Sequence, residues 1–137
     1  MRSFRLLMLC LGLFAVVTAA VAGEEPYKKL YRQGVELNKK GDLEKAVEAY
    51  TRAIALKPDV AAIYYVRGRT YRQMDQLDNA IVDFSRAISL KPDYAEAYND
   101  RGIAYIGKGA KTNYMADFKK GCALKNSNAC ENLKKVK

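Results

Sequence analysis

The sequence predicts an all-α protein, a right-handed α-solenoid of three helix–turn–helix repeats followed by a C-terminal capping helix. The first observation is literal repetition: Ala-Ile-Ala-Leu-Lys-Pro-Asp ends at Asp59, and Ala-Ile-Ser-Leu-Lys-Pro-Asp ends at Asp93, 34 residues later. The second is that small and apolar residues return at the same period, which is typical of stacked helical hairpins. The third is that apolar residues recur at helical spacing, and no strand pattern competes with it.

The middle copy of the repeat is the most complete. It carries Tyr64, Gly68, Tyr71, Ala80, Phe84, Ala87, Leu90 and Pro92. The first copy carries, at the matching positions, Leu30, Gly34, Leu37, Ala46, Tyr50, Ala53, Leu56 and Pro58. The third carries Tyr98, Gly102, Tyr105, Tyr114, Phe118, Gly121, Leu124 and Asn126. These matches predict repeats at about 27–60, 61–94 and 95–128, with the capping helix at about 128–136.

In the first repeat, the first helix is predicted to begin beside Pro26, whose missing N–H would have no partner in a first turn. Gly41 is expected to end this helix at about residue 40, because glycine adopts the left-handed conformation at little cost. Asp42 is placed to cap the second helix, and Pro58 ends it.

In the second repeat, helices are predicted at about 60–73 and 77–90. Asp59 is expected to cap the earlier of these helices. Asp75 and Asp78 have the spacing of a capping box before the later one.

In the third repeat, helices are predicted at about 94–106 and 112–124, and Asn128 and Glu131 have capping-box spacing at the start of the final helix. This repeat departs from the pattern because Tyr114 stands where the other repeats carry alanine. We favour the interpretation that a terminal repeat is atypical because one of its faces meets solvent. The alternative is a shifted register of the sixth helix, with Ala116 making the close contact.

Small residues at helix crossings carry a resemblance to a known family. Gly34, Gly68 and Gly102 are expected to pair with Ala46 and Ala80, so that the two helices of each hairpin approach closely. With the 34-residue period, this pattern resembles the tetratricopeptide repeat family over nearly the whole chain after the leader. The resemblance implies a concave groove, lined by the first helix of each hairpin, that binds an extended peptide.

The resemblance also implies which side chains line that groove. The predicted groove residues are Lys28, Tyr31, Asn38, Lys39, Tyr65, Arg69, Arg72, Gln73, Asn99 and Ile103. Tyrosine and arginine are enriched at energetic hot spots of interfaces. Four basic residues face one acid, Glu96, across the predicted groove, which favours an acidic partner or one with a C-terminal carboxylate. The alternative is that these charges are ordinary solvated residues of amphipathic helices.

A lysine–asparagine clamp, with which some members of the family hold a C-terminal carboxylate, is absent from this sequence. The clamp positions are occupied by Tyr31, Val35, Val66, Glu96 and Asp100.

Residues 1–22 are predicted to be a cleaved signal peptide. Arg2 and Arg5 precede an apolar run, 6–22, which ends in the small-residue pattern Ala-Val-Ala. Cleavage would lower the net charge from +9 to +7, because the leader contains two arginines and no acid. The alternative is an uncleaved membrane anchor formed by residues 6–22. A lipoprotein site at Cys10 is excluded because a large residue precedes it inside the apolar run.

The two cysteines outside the leader, Cys122 and Cys130, are predicted to form a disulfide. They would lie on two antiparallel helices joined by a short turn, which can bring Cα atoms within bonding range. Their spacing also resembles that of secreted, cysteine-rich helical-repeat proteins of bacteria. The alternative is a pair of buried, reduced thiols.

No catalytic, cofactor-binding or metal site is predicted. The chain has no histidine, which excludes the commonest general base and most zinc and haem sites. Its lysines are scattered, with a local cluster only at Lys134, Lys135 and Lys137, and the predicted export argues against a nucleic-acid partner.

These observations predict an exported, periplasmic or secreted, non-enzymatic module that binds a protein or peptide partner. One alternative function is an envelope enzyme or enzyme accessory of the cysteine-rich repeat type. Another is a self-associating structural unit. Membrane attachment is expected only if the leader stays uncleaved.

Overall fold

The structure, a computed structural model, describes residues 24–137, which form seven α-helices and no strand within that range. The helices are α1 Pro26–Lys39, α2 Leu43–Leu56, α3 Ala61–Gln73, α4 Leu77–Leu90, α5 Ala95–Gly107, α6 Lys111–Ala123 and α7 Ser127–Lys135. The predicted all-α helical-repeat fold is confirmed. The predicted leader, 1–22, lies outside the described residues.

The helices pack as successive hairpins. The pairs α1–α2, α3–α4 and α5–α6 make the most extensive contacts, α2 packs on α3, and α4 packs on α5. The capping helix α7 packs on α6 and also reaches α5. Because α3 contacts α5 as well, the first helices of the hairpins lie side by side and form one face of the solenoid.

Each hairpin is closed by one glycine facing one aromatic ring. A Cβ added at Gly68 would lie 2.9 Å from Cε1 of Phe84. At Gly102 a Cβ would lie 2.6 Å from Cε1 of Phe118, so the sixth helix keeps the register of the fourth. Ala116 is exposed. The alternative of a shifted register, with Ala116 making the close contact, is therefore wrong.

Tight turns, rather than side-chain caps, join the two helices of each hairpin. Asp75 has a φ of 59°, and it occupies the position at which Gly41 and Gly109 have φ values of 84° and 69°. Gln76 is the N-cap of α4, so the predicted capping box at Asp75 and Asp78 is wrong. The left-handed residue is required because the chain must reverse within two residues of the helix end.

Two other predicted caps also differ from the structure. Asp42 occupies the N-cap of α2 but its side chain makes no capping bond. Val60, not Asp59, is the N-cap of α3.

The N-cap of the capping helix lies two residues earlier than the capping-box pattern predicted. The Asn126 side chain accepts a hydrogen bond of 2.9 Å from the Ala129 backbone N–H. Asn128 is therefore inside α7, and the predicted capping box with Glu131 is wrong. Asn126 stands at the position that proline holds in the other two repeats, and here it starts the next helix instead of only ending one.

Across residues 24–137, no helix is long and apolar enough to cross a bilayer.

Candidate functional site

The candidate site is the face formed by α1, α3 and α5, which we call the inner face. Polar contacts between neighbouring helices cross it. Asn38 on α1 donates hydrogen bonds to Thr70 Oγ1, at 2.9 Å, and to Gln73 Oε1, at 2.8 Å, on α3. Two of the predicted groove residues, Asn38 and Gln73, are therefore bonded to each other and hold α1 against α3.

The centre of the inner face is built around Tyr65. Its hydroxyl donates a 3.0 Å hydrogen bond to Oδ2 of Asp100 on α5. The Arg69 guanidinium lies 5.8 Å from the centre of the Tyr65 ring, and its Nε lies 3.8 Å from the same carboxylate oxygen. The structure thus brings the predicted residues Tyr65 and Arg69 together and holds the tyrosine ring in one orientation.

Asp100 was not predicted as a functional residue, although it connects several of the residues that were. Its side chain is about one-eighth exposed, and its second oxygen accepts a hydrogen bond of 3.2 Å from the Asn99 amide. The preceding repeat carries Val66 at this position. The first repeat carries Arg32 there, so the three repeats share no residue type at this position, and the sequence carried no repeat signal for Asp100.

Asn99 and the capping helix close one end of the inner face. The Asn99 Oδ1 accepts a 2.9 Å hydrogen bond from Asn132 on α7. Asn99 is buried, so its amide stabilises the packing of α7 and is not presented to solvent. Ile103, on the next turn of α5, is half-buried, and Ile106 beyond it is 44% exposed.

Tyrosine rings line the same region. The ring of Tyr94, which immediately precedes α5, lies 4.9 Å from that of Tyr65, and Lys91 Nζ lies 4.7 Å from the Tyr94 ring. Tyr31 on α1 packs against Tyr50, with ring centres 6.2 Å apart. The sequence analysis missed Tyr94 because it lies outside the helical groove positions.

Burial keeps these phenols protonated. Burial first, and then the nearby Glu96, Tyr31 and Asp100, raise the pKa of Tyr94 to about 12, while Arg69 opposes them. Burial, and then the adjacent Asp100, raise the pKa of Tyr65 well above its usual value of 10.0. Near neutral pH both hydroxyls are therefore neutral groups able to donate hydrogen bonds.

The predicted cations differ in how they are paired. Lys28 Nζ lies 3.4 Å from a Glu25 oxygen, and Lys39 Nζ lies 3.0 Å from a Glu36 oxygen. Arg72 has no carboxylate within 4 Å among residues 24–137, and its buried Nε has no hydrogen-bond acceptor there. The basic excess is therefore smaller than the sequence count indicated, and Arg72 is its least compensated member.

A shallow depression of about 390 Å³ lies at the α1 end of the inner face. It is lined by Tyr31, Arg32, Gln33, Val35 and Glu36. Two of these residues, Tyr31 and Val35, occupy positions that the resemblance assigns to the groove, so the depression adjoins the α1 edge of the inner face.

A comparison with protein-family models matches the TPR repeat model to residues 34–75 and again to residues 68–109. Together the two matches span more than half of the chain. The chain belongs to the tetratricopeptide repeat (TPR) family. A comparison with curated proteins finds no significant match.

Solved structures, two of them TPR domains, resemble this chain over most of its length. The second TPR of Spaghetti (RPAP3) bound to the HSP90 peptide SRMEEVD is 28% identical, with a TM-score of 0.70, and the match covers 72% of this chain and 91% of that one. The second TPR domain of human RPAP3 in complex with the HSP70 peptide SGPTIEEVD is also 28% identical, with a TM-score of 0.74 and coverages of 80% and 97%. MamA is 33% identical, with a TM-score of 0.71, and the match covers 72% of this chain but only 58% of MamA.

A disulfide lies at the C-terminal end of the TPR hairpins. Cys122 on α6 and Cys130 on α7 are joined by a disulfide, and their Cα atoms are 4.6 Å apart. The bond ties the capping helix to the last hairpin. Because Asn132 of α7 bonds to Asn99 on α5, one helix connects the disulfide to the inner face.

Within the part of the chain that the structure describes, no three His, Cys, Asp or Glu side chains converge as a metal site would. The carboxylates that are buried there, Asp83, Asp100 and Asp117, each bond to arginine, tyrosine or asparagine.

Proposed function

We propose that this TPR chain is an exported, non-enzymatic interaction module that binds an extended segment of a partner protein across its inner face. The segment carries acidic residues. The observation that carries the proposal is Arg72, a groove cation with no internal carboxylate partner among residues 24–137 and with an N–H that lacks an acceptor.

The centre of the inner face supports this proposal. Tyr65 is held by Asp100 and stacked against Arg69, so a partner would meet an aromatic and cationic surface whose side chains are already ordered. Preorganised contacts of this kind lose little side-chain entropy on binding. TPR structures at 28% identity hold peptides that end in EEVD, which is consistent with an acidic ligand for this chain as well.

The location rests on different observations. Residues 1–22 have the pattern of a secretory leader, and the described part of the chain contains a disulfide between Cys122 and Cys130. Structural disulfides persist mainly in oxidising compartments, such as the bacterial periplasm or the extracellular space. We place the partner in the cell envelope for this reason.

Crosslinking in cells tests the binding surface. A photoreactive residue placed at Tyr65 in the full chain is expected to capture a discrete partner from the envelope fraction. Arg72→Glu should abolish that product, because it puts a negative charge where an acidic segment would bind. Lys119→Glu, the same charge change on exposed α6, should leave it intact. No product, or a product indifferent to Arg72→Glu, would contradict the proposal.

The identity of the mature N-terminus tests the location. The full chain, expressed and fractionated, is expected to yield an envelope form that begins at Gly23 and has no free thiol before reduction. A cytosolic form that keeps residues 1–22 and takes up thiol label without reduction would contradict export. Light scattering at several concentrations would separate a monomeric module from a self-associating unit.

A further inference from the structure

The charged positions of the predicted groove, together with Asp100, are six side chains that differ in whether the protein itself compensates them. Four have a partner of opposite charge within 4 Å: Lys28, Lys39, Arg69 and Asp100. The other two, within residues 24–137, have none: the cation Arg72 on α3 and the anion Glu96 on α5.

These two charges lie on either side of the tyrosine cluster. Glu96 is exposed in the first turn of α5, two residues after Tyr94, so it lies beside the ring pair of Tyr94 and Tyr65. Arg72 lies near the opposite end of α3, two turns beyond Tyr65 and one residue before Gln73, which bonds to α1. A chain that crosses the rings therefore meets a cation at one end and an anion at the other.

We infer that the partner segment is zwitterionic: it carries an acidic residue that meets Arg72 and a basic residue that meets Glu96, with an apolar or aromatic residue between them on the tyrosine rings. The inference rests on the proposed groove-binding function and names the charge pattern of its ligand. A uniformly acidic segment fits less well, because its far end would face Glu96 and the partly buried Asp100.

The spacing of the two charges in the partner follows from helix geometry. The position of Glu96 corresponds to Ala62 in the preceding repeat, ten residues before Arg72. At about 1.5 Å per residue the offset along the helix axis is about 15 Å. A sideways step of about 10 Å between helices makes the diagonal about 18 Å. An extended chain covers that distance in about five or six residues.

Selection from a library of synthetic peptides tests the inference. The mature protein would be immobilised, and the library would place acidic, basic and neutral residues at every position around a central tyrosine. Peptides with an acid and a base about five residues apart are expected to be enriched about threefold to fivefold over peptides with the acid alone, the scale of one exposed charge pair.

Charge-reversed variants make the test decisive. Glu96→Lys should shift the selection to peptides that are acidic at both ends. Arg72→Glu together with Glu96→Lys should select the reversed charge order. Lys119→Glu should select the same peptides as the unchanged chain. Glu96 is exposed and Arg72 is half-buried, so circular dichroism would verify that the variants at both positions fold.

The outcomes separate the two proposals. If no peptide is enriched over the resin alone, the proposed groove-binding function fails, and the inference fails with it. If acidic peptides are enriched but Glu96→Lys leaves the selected sequences unchanged, the groove binds peptides and the zwitterionic ligand is overturned.

Discussion

The Arg67 guanidinium holds the Asp83 carboxylate with two hydrogen bonds of 2.7 and 2.8 Å. The same arginine donates a third bond, of 2.9 Å, to the Thr51 hydroxyl on the preceding hairpin. Arg101 and Asp117 repeat this arrangement 34 residues later. Arg101 also donates a third bond, to the Ser85 hydroxyl on the preceding hairpin. One buried ion pair therefore closes each of these hairpins and also joins it to the hairpin before.

Removing one partner of this pair should be costly. Asp83→Ala leaves the Arg67 charge largely buried and uncompensated, and we expect the free energy of unfolding to fall by about 3–5 kcal/mol. Urea unfolding followed by circular dichroism measures the change.

The exposed pair of Asp78 and Lys108 provides the matched control. Asp78→Ala should cost less than about 1 kcal/mol, since exposed ion pairs contribute little. Equal losses for the two alanine variants would contradict the structural role assigned to Arg67 and Asp83.

The closest approach of α3 and α4 should not tolerate a methyl group at Gly68. A Cβ there would lie 2.9 Å from Phe84 and 3.2 Å from the Asp83 Cβ. Gly68→Ala is expected to destabilise the fold by about 1–3 kcal/mol, because the ring and the helix cannot both move away. Gly107→Ala should cost less, since the methyl would meet only the flexible end of Leu77. Thermal unfolding of both variants measures the two losses of stability. A smaller loss for Gly68→Ala than for Gly107→Ala would be inconsistent with this packing.

The left-handed turn at Asp75 predicts an unusual response to glycine. Asp75→Gly should leave the free energy of unfolding unchanged or raise it slightly, because glycine adopts a positive φ without a Cβ clash. Asp75→Val should lower it by about 1–2 kcal/mol. If glycine destabilises the turn as much as valine does, the aspartate side chain has a role that its backbone conformation does not explain.

The disulfide should stabilise the capping helix more than the rest of the chain. Replacing Cys122 and Cys130 with serine is expected to cost about 2–3 kcal/mol, mainly as fraying of α7. Hydrogen exchange should quicken in 127–135 and change little in α3 and α4. Reduction of the unchanged protein should reproduce the pattern, whereas uniform acceleration across all helices would show that the bond supports the whole fold.

Alkaline pH should destabilise the protein through its buried tyrosines. Burial, with Tyr31 nearby, raises the pKa of Tyr50 to about 12 from 10.0, and that of Tyr94 also reaches about 12. The folded state therefore favours the protonated phenols. Their contribution is fully present below about pH 10 and is lost as the pH rises through about 12, by up to about 1.4 kcal/mol per pH unit for each group.

Tyr50→Phe isolates one of these groups. Its unfolding free energy should fall less steeply than that of the unchanged protein between about pH 10 and 12, because phenylalanine has no proton to lose. Guanidinium unfolding at several pH values gives both slopes. Parallel slopes would mean that the Tyr50 phenol does not titrate differently in the folded and unfolded chains.

The sequence by itself determined the repeat, its period and the identity of the residues at the helix crossings. These features follow from local patterns, since the spacing of apolar residues defines a helix face. The partners of the glycines at these crossings were predicted wrongly: the pattern paired Gly34 and Gly68 with Ala46 and Ala80, whereas in the structure they face the rings of Tyr50 and Phe84. Turn chemistry was predicted less well, because aspartate can occupy either a cap or a left-handed turn, and Asp75 takes the second role.

Only the tertiary structure decided which side chains meet on the inner face. Asp100 reaches Tyr65, and Asn132 reaches Asn99, across separate helices. Such contacts depend on the rotation and offset of whole hairpins, which many packed side chains set together and no local pattern encodes. The structure therefore distinguished compensated charges from uncompensated ones, and it left Arg72 and Glu96 as the pair that defines the proposed ligand.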